Sequence, residues 1–174
     1  MKIILSSPVL NRLREELRRA GRREIGGLLM GEHLQDETFR VTDISVQRLG
    51  GSHASFVRDP QQHQVDLDAF FQRTGANFRR FNYLGEWHSH PSFEPLPSST
   101  DIQTMQALID DPEVGANFLV LMIVRLRRRR LLESTALAFR CCTHPVPVPL
   151  EPDSDFAPTE GRARRWLKSL LRSG

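Results

Sequence analysis

Apolar residues recur at helical spacing near the start of the chain, which predicts a helix with one buried face. The positions are Val9, Leu10, Leu13 and Leu17. Ser7-Pro8 has the pattern of an N-cap residue followed by proline, and Gly21 is a typical stop signal. We therefore expect this helix to begin at Ser7-Pro8 and to end before Gly21.

Five later segments have the apolar runs or the alternation that favour β-strands. They are Ile25–Gly31, Thr38–Val46, Phe81–His90, Phe118–Leu126 and Leu131–Phe139. The polar run Arg127–Arg130 separates the last two, so we predict a hairpin with these arginines at its tip. A phosphate-binding patch is the alternative interpretation of the arginine run.

Two more helices are predicted between the strands. Asp59-Pro60 begins the second, and Ser98 or Ser99 begins the third, which ends near Asp111-Pro112. Their apolar positions are Val65, Leu67, Phe70 and Phe71 in the second helix, and Ile102, Met105, Leu108 and Ile109 in the third. Because helices and strands interleave, we predict a mixed α/β domain over residues 1–142.

The last part of the chain has a different composition. Residues 143–174 hold five of the 11 prolines, a density that favours an extended linker. Residues 161–172 then predict a basic amphipathic helix, with Trp166 and Leu170 on its apolar side. We expect this segment to dock on a partner protein or on the domain itself, with an anionic membrane as the least favoured contact.

The composition excludes collagen-like, low-complexity and wholly disordered chains, because 39% of the 174 residues are apolar and 26% are charged. No apolar run approaches the roughly 20 residues that span a bilayer, and the N-terminus lacks a signal-peptide pattern. We therefore expect a cytoplasmic protein. The net charge of +3 is spread along the chain, so nucleic acid is not an expected partner.

The two cysteines, Cys141 and Cys142, are adjacent in sequence. Neighbouring cysteines do not normally reach the geometry of an unstrained disulfide, and two are too few for a cysteine-rich zinc site. We predict two buried thiols near the end of a strand, in a reducing compartment.

The segment with the clearest chemistry is Glu86–Pro91, which Ser98 and Asp101 follow. Side chains at i and i+2 of a strand point to one face, so His88 and His90 can converge on one point. Two imidazoles and a carboxylate, with one position left for water, make a catalytic zinc site, and Asp101 would supply the carboxylate. Manganese, cobalt or iron could occupy the same geometry. Taken separately, the histidines could be surface residues, and Ser98 and Asp101 could be a capping box.

The order and spacing of these residues resemble the JAMM metalloprotease motif, also called JAB or MPN-plus. That motif has an upstream Glu, then His-x-His-Pro, with seven residues between the second His and a Ser-x-x-Asp. The matching residues here are Glu24, His88–Pro91, Ser98 and Asp101. The resemblance covers roughly residues 3–140 and implies a single JAMM domain, with a curved mixed sheet flanked by helices in a cytidine-deaminase-like fold.

The resemblance also implies a role for each residue of the site. The implied ligands of one zinc ion per chain are His88, His90 and Asp101. Glu24 would be the general acid/base, and Ser98 would donate a hydrogen bond to the developing oxyanion. Glu86 shares the strand face of the histidines, so it is a candidate to orient one imidazole; a plain surface acid is the equal alternative.

The family includes deubiquitinases of the proteasome lid and small prokaryotic peptidases that act on ubiquitin-like or sulfur-carrier proteins. The run Tyr83–Pro91 is similar to bacterial JAB peptidases encoded beside E1-like and E2-like enzymes in antiphage operons of the CBASS or Bil type. The resemblance therefore implies a zinc-dependent isopeptidase that cleaves after the C-terminal glycine of a ubiquitin-like protein. That protein, its conjugates and the E1-like and E2-like enzymes are the expected partners.

Three other functions stay open at this stage. A JAMM peptidase could trim a sulfur-carrier precursor instead of undoing conjugates. A metal-free MPN scaffold would only bind partners, and the intact motif argues against it. A DNA-repair-associated branch has a related motif, but we would expect it to carry an appended helix-hairpin-helix module.

Overall fold

The structure, a computed structural model, describes residues 1–47 and 60–153, without the side chains of residues 60–62. Its helices in these ranges are α1 (Ser7–Ala20), α2 (Pro60–Arg73) and α3 (Ser99–Asp110). Its strands are β1 (Lys2–Leu5), β2 (Gly26–Gln35), β3 (Thr38–Ile44), β4 (Phe81–Ser89), β5 (Leu119–Arg127), β6 (Leu131–Phe139), β7 (Val146–Pro147) and β8 (Leu150–Pro152). The helices and strands predicted within these ranges are confirmed, with ends that differ by a few residues. The strands β1, β7 and β8 were not predicted.

The eight strands form one curled sheet in the order β7-β6-β5-β4-β2-β3-β1-β8. Strand β4 lies in the middle, antiparallel to β2 and parallel to β5. A parallel pair needs a crossover connection, and α3 lies in the one between β4 and β5. Residues 90–98 lead directly from the end of β4 to the start of α3. The mixed sheet with its flanking helices confirms the predicted α/β fold class and its curvature.

Both faces of the sheet are covered by helices, as the alternation in β5 shows. Val120, Met122 and Val124 belong to the larger core, which contains α1. Leu119, Leu121 and Ile123, which alternate with them, belong to a second core that contains α3. A third cluster packs Phe70 of α2 against Leu28 and Met30 of β2. His88 is the partner of Ile123 in the parallel pair of β4 and β5. Its side chain therefore lies on the same face of the sheet as the core that contains α3.

Two predictions about burial are wrong. Val65 was expected on the apolar side of α2, but it is 70% exposed. His63 takes a buried place on that helix instead, and its ring nitrogens lie 2.7 Å from Ser45 Oγ and 3.1 Å from Gln47 Oε1. The two cysteines were expected to be buried, but both thiols are exposed, because β6 ends at Phe139 and they lie in the turn that follows.

In the described part of the proline-rich stretch, residues 143–153, two short strands are paired into the sheet. Strand β7 pairs with β6, and β8 pairs with β1. The domain boundary at residue 142 stays a prediction, and the helix predicted for residues 161–172 lies outside the described residues. In the part of the chain that the structure describes, no helix has the length and apolar character needed to cross a membrane.

Candidate metal centre

Two histidines lie together at the carboxyl end of β4. His88 is in the strand and His90 follows the last strand residue, so the two imidazoles lie on the same side. Their Nε2 atoms are 3.2 Å apart. The N–H of His90 donates to the carbonyl of Val124 in β5 at 2.9 Å, which extends the sheet pairing by one residue. Backbone pairing therefore fixes the separation of the two rings.

Asp101, in the first turn of α3, brings a carboxylate to the same place. Its Oδ1 lies 3.4 Å from Nε2 of His88. Its Oδ2 accepts hydrogen bonds from the backbone N–H and the hydroxyl of Ser98, each at 2.7 Å. The Ser98 hydroxyl also accepts from the Asp101 N–H at 3.2 Å, which completes a capping box. Capping and metal binding are compatible in Asp101, because Oδ2 accepts the hydrogen bonds of the cap while Oδ1 faces His88.

The separations of the donor atoms fit a zinc ion. One ligand atom from each of His88, His90 and Asp101 lies within 4.8 Å of the other two. Ligand atoms of a tetrahedral zinc, bound at about 2.0–2.1 Å, are about 3.3–3.4 Å apart. The two closest donor pairs in the structure are 3.2 and 3.4 Å apart. Three protein donors leave the fourth corner of the tetrahedron for water or substrate, as in catalytic zinc sites.

The loop between His90 and α3 orients one of the imidazoles. Nδ1 of His90 lies 3.3 Å from the carbonyl oxygen of Glu94, and a proton on Nδ1 would leave Nε2 free to bind a metal. Arg125 of β5 anchors this loop, since its guanidinium donates to the Phe93 carbonyl at 2.9 Å and to both carboxylate oxygens of Glu94 at 3.0 Å. Glu133 of β6 accepts from the Nε of the same guanidinium at 2.9 Å. The loop is thus tied to the sheet on the metal side.

Glu24 reaches the histidines through the pairing of β2 with β4. Ile25 and Ser89 exchange two hydrogen bonds, one from the Ile25 N–H to Ser89 Oγ at 3.0 Å and one from the Ser89 N–H to the Ile25 carbonyl at 2.8 Å. The Glu24 side chain is only 5% exposed. Burial raises the pKa of Glu24 above its usual value, and this effect exceeds the opposing influence of His90 and His88. A carboxyl group with a raised pKa is suited to accepting and returning a proton.

The other carboxylate of the site, Asp101, has a shift of the opposite sign. Burial raises the pKa of Asp101, but the hydrogen bonds from His88 and Ser98 together have a larger effect in the opposite direction. The pKa of Asp101 therefore lies well below its usual value. Asp101 is therefore ionised at neutral pH, as a metal ligand must be. Two nearby carboxyl groups with opposite shifts are a pattern that separates a proton carrier from a fixed charge.

Glu86, the candidate for orienting an imidazole, accepts a hydrogen bond from the Tyr83 hydroxyl at 3.3 Å. Its predicted role toward the histidines stays a prediction. Trp87, between Glu86 and His88, points into the core on the other face. It is fully buried, and its indole N–H donates to the Ser45 carbonyl at 3.0 Å.

The structure brings together the five residues that the motif singled out, which are Glu24, His88, His90, Ser98 and Asp101. Sequence analysis missed the supporting residues Arg125 and Ser89. A signal for Arg125 was present, since a charged residue that interrupts an apolar strand usually has a partner. Ser89 gave no such signal, because its hydroxyl accepts a hydrogen bond from the N–H of Ile25, which is distant in sequence.

Comparison with known proteins identifies relatives of this chain. The model of the family Prok-JAB, prokaryotic homologs of the JAB domain, matches residues 6–141. A CD-NTase/cGAS isopeptidase of Enterobacter hormaechei is 30% identical over 109 residues, which are 61% of this chain and 57% of that protein. The 26S proteasome regulatory subunit rpn11 of Schizosaccharomyces pombe is 30% identical over 105 residues, which are 60% of this chain and 33% of that protein.

A solution structure of a protein from Desulfitobacterium hafniense has a TM-score of 0.65 to this chain, covering 87% of this chain and 92% of that one. At 20% sequence identity, this similarity shows the fold alone. The chain spans about half the length of the first curated relative and a third of the second. The family match covers more of this chain than the match to either relative does. Residues 6–141 include the whole candidate metal centre and the loop that supports it. The chain belongs to the Prok-JAB family, the prokaryotic homologs of the JAB domain.

Proposed function

We propose that this protein is a zinc-dependent isopeptidase that cleaves after the C-terminal glycine of a ubiquitin-like protein. One observation carries the proposal: His88, His90 and Asp101 place ligand atoms within 4.8 Å of one another beside the buried carboxyl group of Glu24. A proton carrier next to an open metal position is the arrangement that amide hydrolysis requires. A scaffold that only binds partners would not need it.

The residues divide the chemistry among themselves. When bound, zinc supplies a Lewis acid that polarises the scissile carbonyl and lowers the pKa of water to about 7. Glu24 accepts a proton from the attacking water and transfers it to the nitrogen of the leaving amine, so the carboxylate is regenerated in each turnover. The new C–O bond forms first, and the amide C–N bond then breaks as Glu24 delivers the proton to the nitrogen. Burial of Glu24 keeps competing bulk water away from this proton transfer.

The Ser98 hydroxyl donates to two different acceptors, one before and one during the reaction. In the structure it donates to Asp101 Oδ2. Rotation of the hydroxyl would redirect that proton to the oxyanion that develops on the scissile carbonyl, while the Ser98 N–H keeps hold of the carboxylate. Donors of this kind contribute about 3 kcal/mol to the transition state in comparable sites.

A folded protein substrate is favoured by the surface around the site. The loop that holds His90 also carries Phe93 and Leu96, which are 59% and 60% exposed. Large apolar side chains that are held rigidly at the surface beside a site commonly mark a protein-binding surface. Hydrogen bonds from Arg125 to the Phe93 carbonyl and the Glu94 carboxylate hold this loop against the sheet.

The substrate class follows from the relatives and stays part of the proposal. One relative is named an isopeptidase and another is a proteasome regulatory subunit. An antiphage role, and E1-like and E2-like enzymes as operon partners, rest on the resemblance of Tyr83–Pro91 and on the CD-NTase/cGAS isopeptidase relative. Processing of a sulfur-carrier protein would use the same site on a different ubiquitin-like body.

The proposal is tested with a ubiquitin-like protein from the same genome, fused after its terminal glycine to a short peptide. We expect release of the peptide by zinc-loaded protein, loss of activity with a chelator, and recovery on adding zinc. The matched control is Glu24→Gln, which keeps the shape of the side chain and should be inactive. A second substrate with valine in place of the terminal glycine should be cleaved at least tenfold more slowly.

Two results would overturn the proposal. One is cleavage that persists in the chelator or in Glu24→Gln. The other is cleavage of an unfolded protein such as casein as fast as of the fusion, which would indicate a general protease. A ubiquitin-like sulfur carrier that is processed while a lysine-linked conjugate of it is not would favour precursor processing over deconjugation.

A further inference from the structure

A second cluster of metal-binding side chains lies away from the catalytic site, in the turn that follows β6. The thiols of Cys141 and Cys142 are 3.2 Å apart, although consecutive side chains of a strand point to opposite faces. The backbone explains the difference, because Cys142 has a φ of 58°, in the left-handed region that few residues other than glycine adopt. This conformation turns both sulfurs to the same side.

Asp110, the last residue of α3, adds an oxygen to the two sulfurs. Its carboxylate accepts a hydrogen bond from the Cys142 N–H at 3.1 Å and two from the side-chain amide of Gln106, at 3.0 and 3.1 Å. The carboxylate is thus fixed against the cysteine turn. One ligand atom from each of Asp110, Cys141 and Cys142 lies within 4.8 Å of the others, and all three residues are exposed.

The three groups of the cluster can each carry a negative charge, and their ligand atoms lie within 4.8 Å of one another. Among the described residues, hydrogen bonds from the Cys142 N–H and the Gln106 amide offset part of the charge of Asp110. A bound cation would offset the remaining repulsion, because it interacts favourably with all three groups.

We propose that Cys141, Cys142 and Asp110 form a second metal site, which takes a thiophilic divalent cation such as Zn²⁺ or Cd²⁺. Thiolate sulfur is a soft ligand and selects such ions over Mg²⁺ or Ca²⁺. Two S–H bonds would break and two metal–sulfur bonds would form, with both protons released to solvent. One carboxylate oxygen of Asp110 and water would complete the coordination.

This site is independent of the catalytic one. Asp101 and Asp110 are near opposite ends of α3, separated by about 14 Å of helix at about 1.5 Å per residue. The donor sets also differ, since the catalytic set has nitrogen and oxygen and the second set has two sulfurs. The whole chain contains only two cysteines, so any metal–thiolate bond within one molecule must be at this site.

Cadmium titration of the full chain, with a phosphine reductant present, tests the proposal directly. Bound Cd²⁺ gives an ultraviolet sulfur-to-metal charge-transfer band only where sulfur is a ligand. We expect the band to saturate at one equivalent per chain and to be accompanied by release of about two protons in weakly buffered solution. It should persist in the His88→Ala and His90→Ala variants and be absent from the double variant Cys141→Ser and Cys142→Ser.

The variant Asp110→Asn provides the finer control, because it keeps the size of the side chain and removes its charge. We expect it to weaken cadmium binding at least about tenfold while the band remains. Three outcomes would overturn the proposal: no band at micromolar protein and cadmium, saturation at one ion per two chains, or an unchanged affinity in Asp110→Asn. The second would mean that exposed thiols of two molecules share the ion. None of these results bears on the catalytic proposal, since the titration does not depend on hydrolysis.

Discussion

Replacing Ser98 by alanine removes the side chain that both caps α3 and holds the Asp101 carboxylate. The loss of an N-cap side chain costs about 1 kcal/mol, and a hydrogen bond to a charged group contributes about 1.5–3 kcal/mol. The backbone N–H of Ser98 still donates to Asp101 in the variant, so part of the interaction remains. We therefore expect Ser98→Ala to lower the free energy of unfolding of the metal-free protein by about 1–3 kcal/mol.

The pH dependence of this loss identifies its cause. A carboxyl group whose pKa is lowered in the folded state stabilises that state above its unfolded pKa of about 3.9, and the contribution is lost as the pH falls. The Ser98 hydroxyl is one of the groups that lower the pKa of Asp101. The unfolded-state pKa is common to wild type and Ser98→Ala, so the difference in their unfolding free energies should be nearly constant from pH 7 to about pH 4. It should shrink only at lower pH, as the pH approaches the lowered pKa of Asp101 in the folded state.

Urea unfolding, followed by circular dichroism in the presence of a chelator, measures this difference. Ser99→Ala is the matched control, because Ser99 is the exposed neighbour and lies outside the capping box. We expect the control to change the unfolding free energy by less than about 0.5 kcal/mol. The reasoning would be refuted if both variants lost the same stability, or if the loss in Ser98→Ala were as large at about pH 2 as at pH 7.

Three further predictions separate the roles of the residues. Glu24→Gln should retain one zinc per chain but lose at least about a hundredfold in turnover, whereas His88→Ala should lose metal and activity together, as measured by metal analysis and peptide release. Phe93→Ala should raise KM for a fusion substrate without changing kcat, while Phe78→Ala, an equally exposed control at the other end of β4, should leave KM unchanged. Removal of residues 154–174 should leave the thermal midpoint and turnover unchanged, because both edge strands are retained.

Each of these predictions has an outcome that contradicts it. Near wild-type turnover in Glu24→Gln would remove its proton-transfer role. An equal rise in KM for both phenylalanine variants would mean that the loop surface is not a specific contact. Unfolding of the truncated chain would place its last segment in the folded core.

The convergence of the candidate metal ligands could be predicted from the sequence because their geometry is local. The strand alternation of His88 and His90 fixes one pair, and the capping pattern from Ser98 to Asp101 fixes the third ligand on the first turn of α3. Neither needs knowledge of a distant contact. The position of Glu24 does need it, and only the resemblance to a known motif linked this residue to the histidines.

The predictions that were wrong concern residues whose environment is set by the rest of the fold. Val65 has a suitable position in the apolar pattern of α2, but His63 takes a buried place because Ser45 and Gln47 provide hydrogen-bond partners for its ring. The cysteines follow a buried strand, yet they are exposed because that strand ends at Phe139 and they lie in the next turn, where Cys142 has a positive φ. Neither a distant partner nor a left-handed residue can be recognised from hydrophobic periodicity.

The pairing of β2 with β4 has a consequence for the order in which the protein acquires its site. Gly26 lies opposite His88, so this antiparallel pair has to close a long loop, and the parallel pair of β4 and β5 closes another. Such non-local pairings slow folding because the entropy of loop closure is lost before the contacts form. During synthesis Glu24, the proposed general base, would leave the ribosome well before the two histidines and Asp101. The proposed site could therefore form only after α3 had been translated. A nascent chain would therefore have no working site until that point.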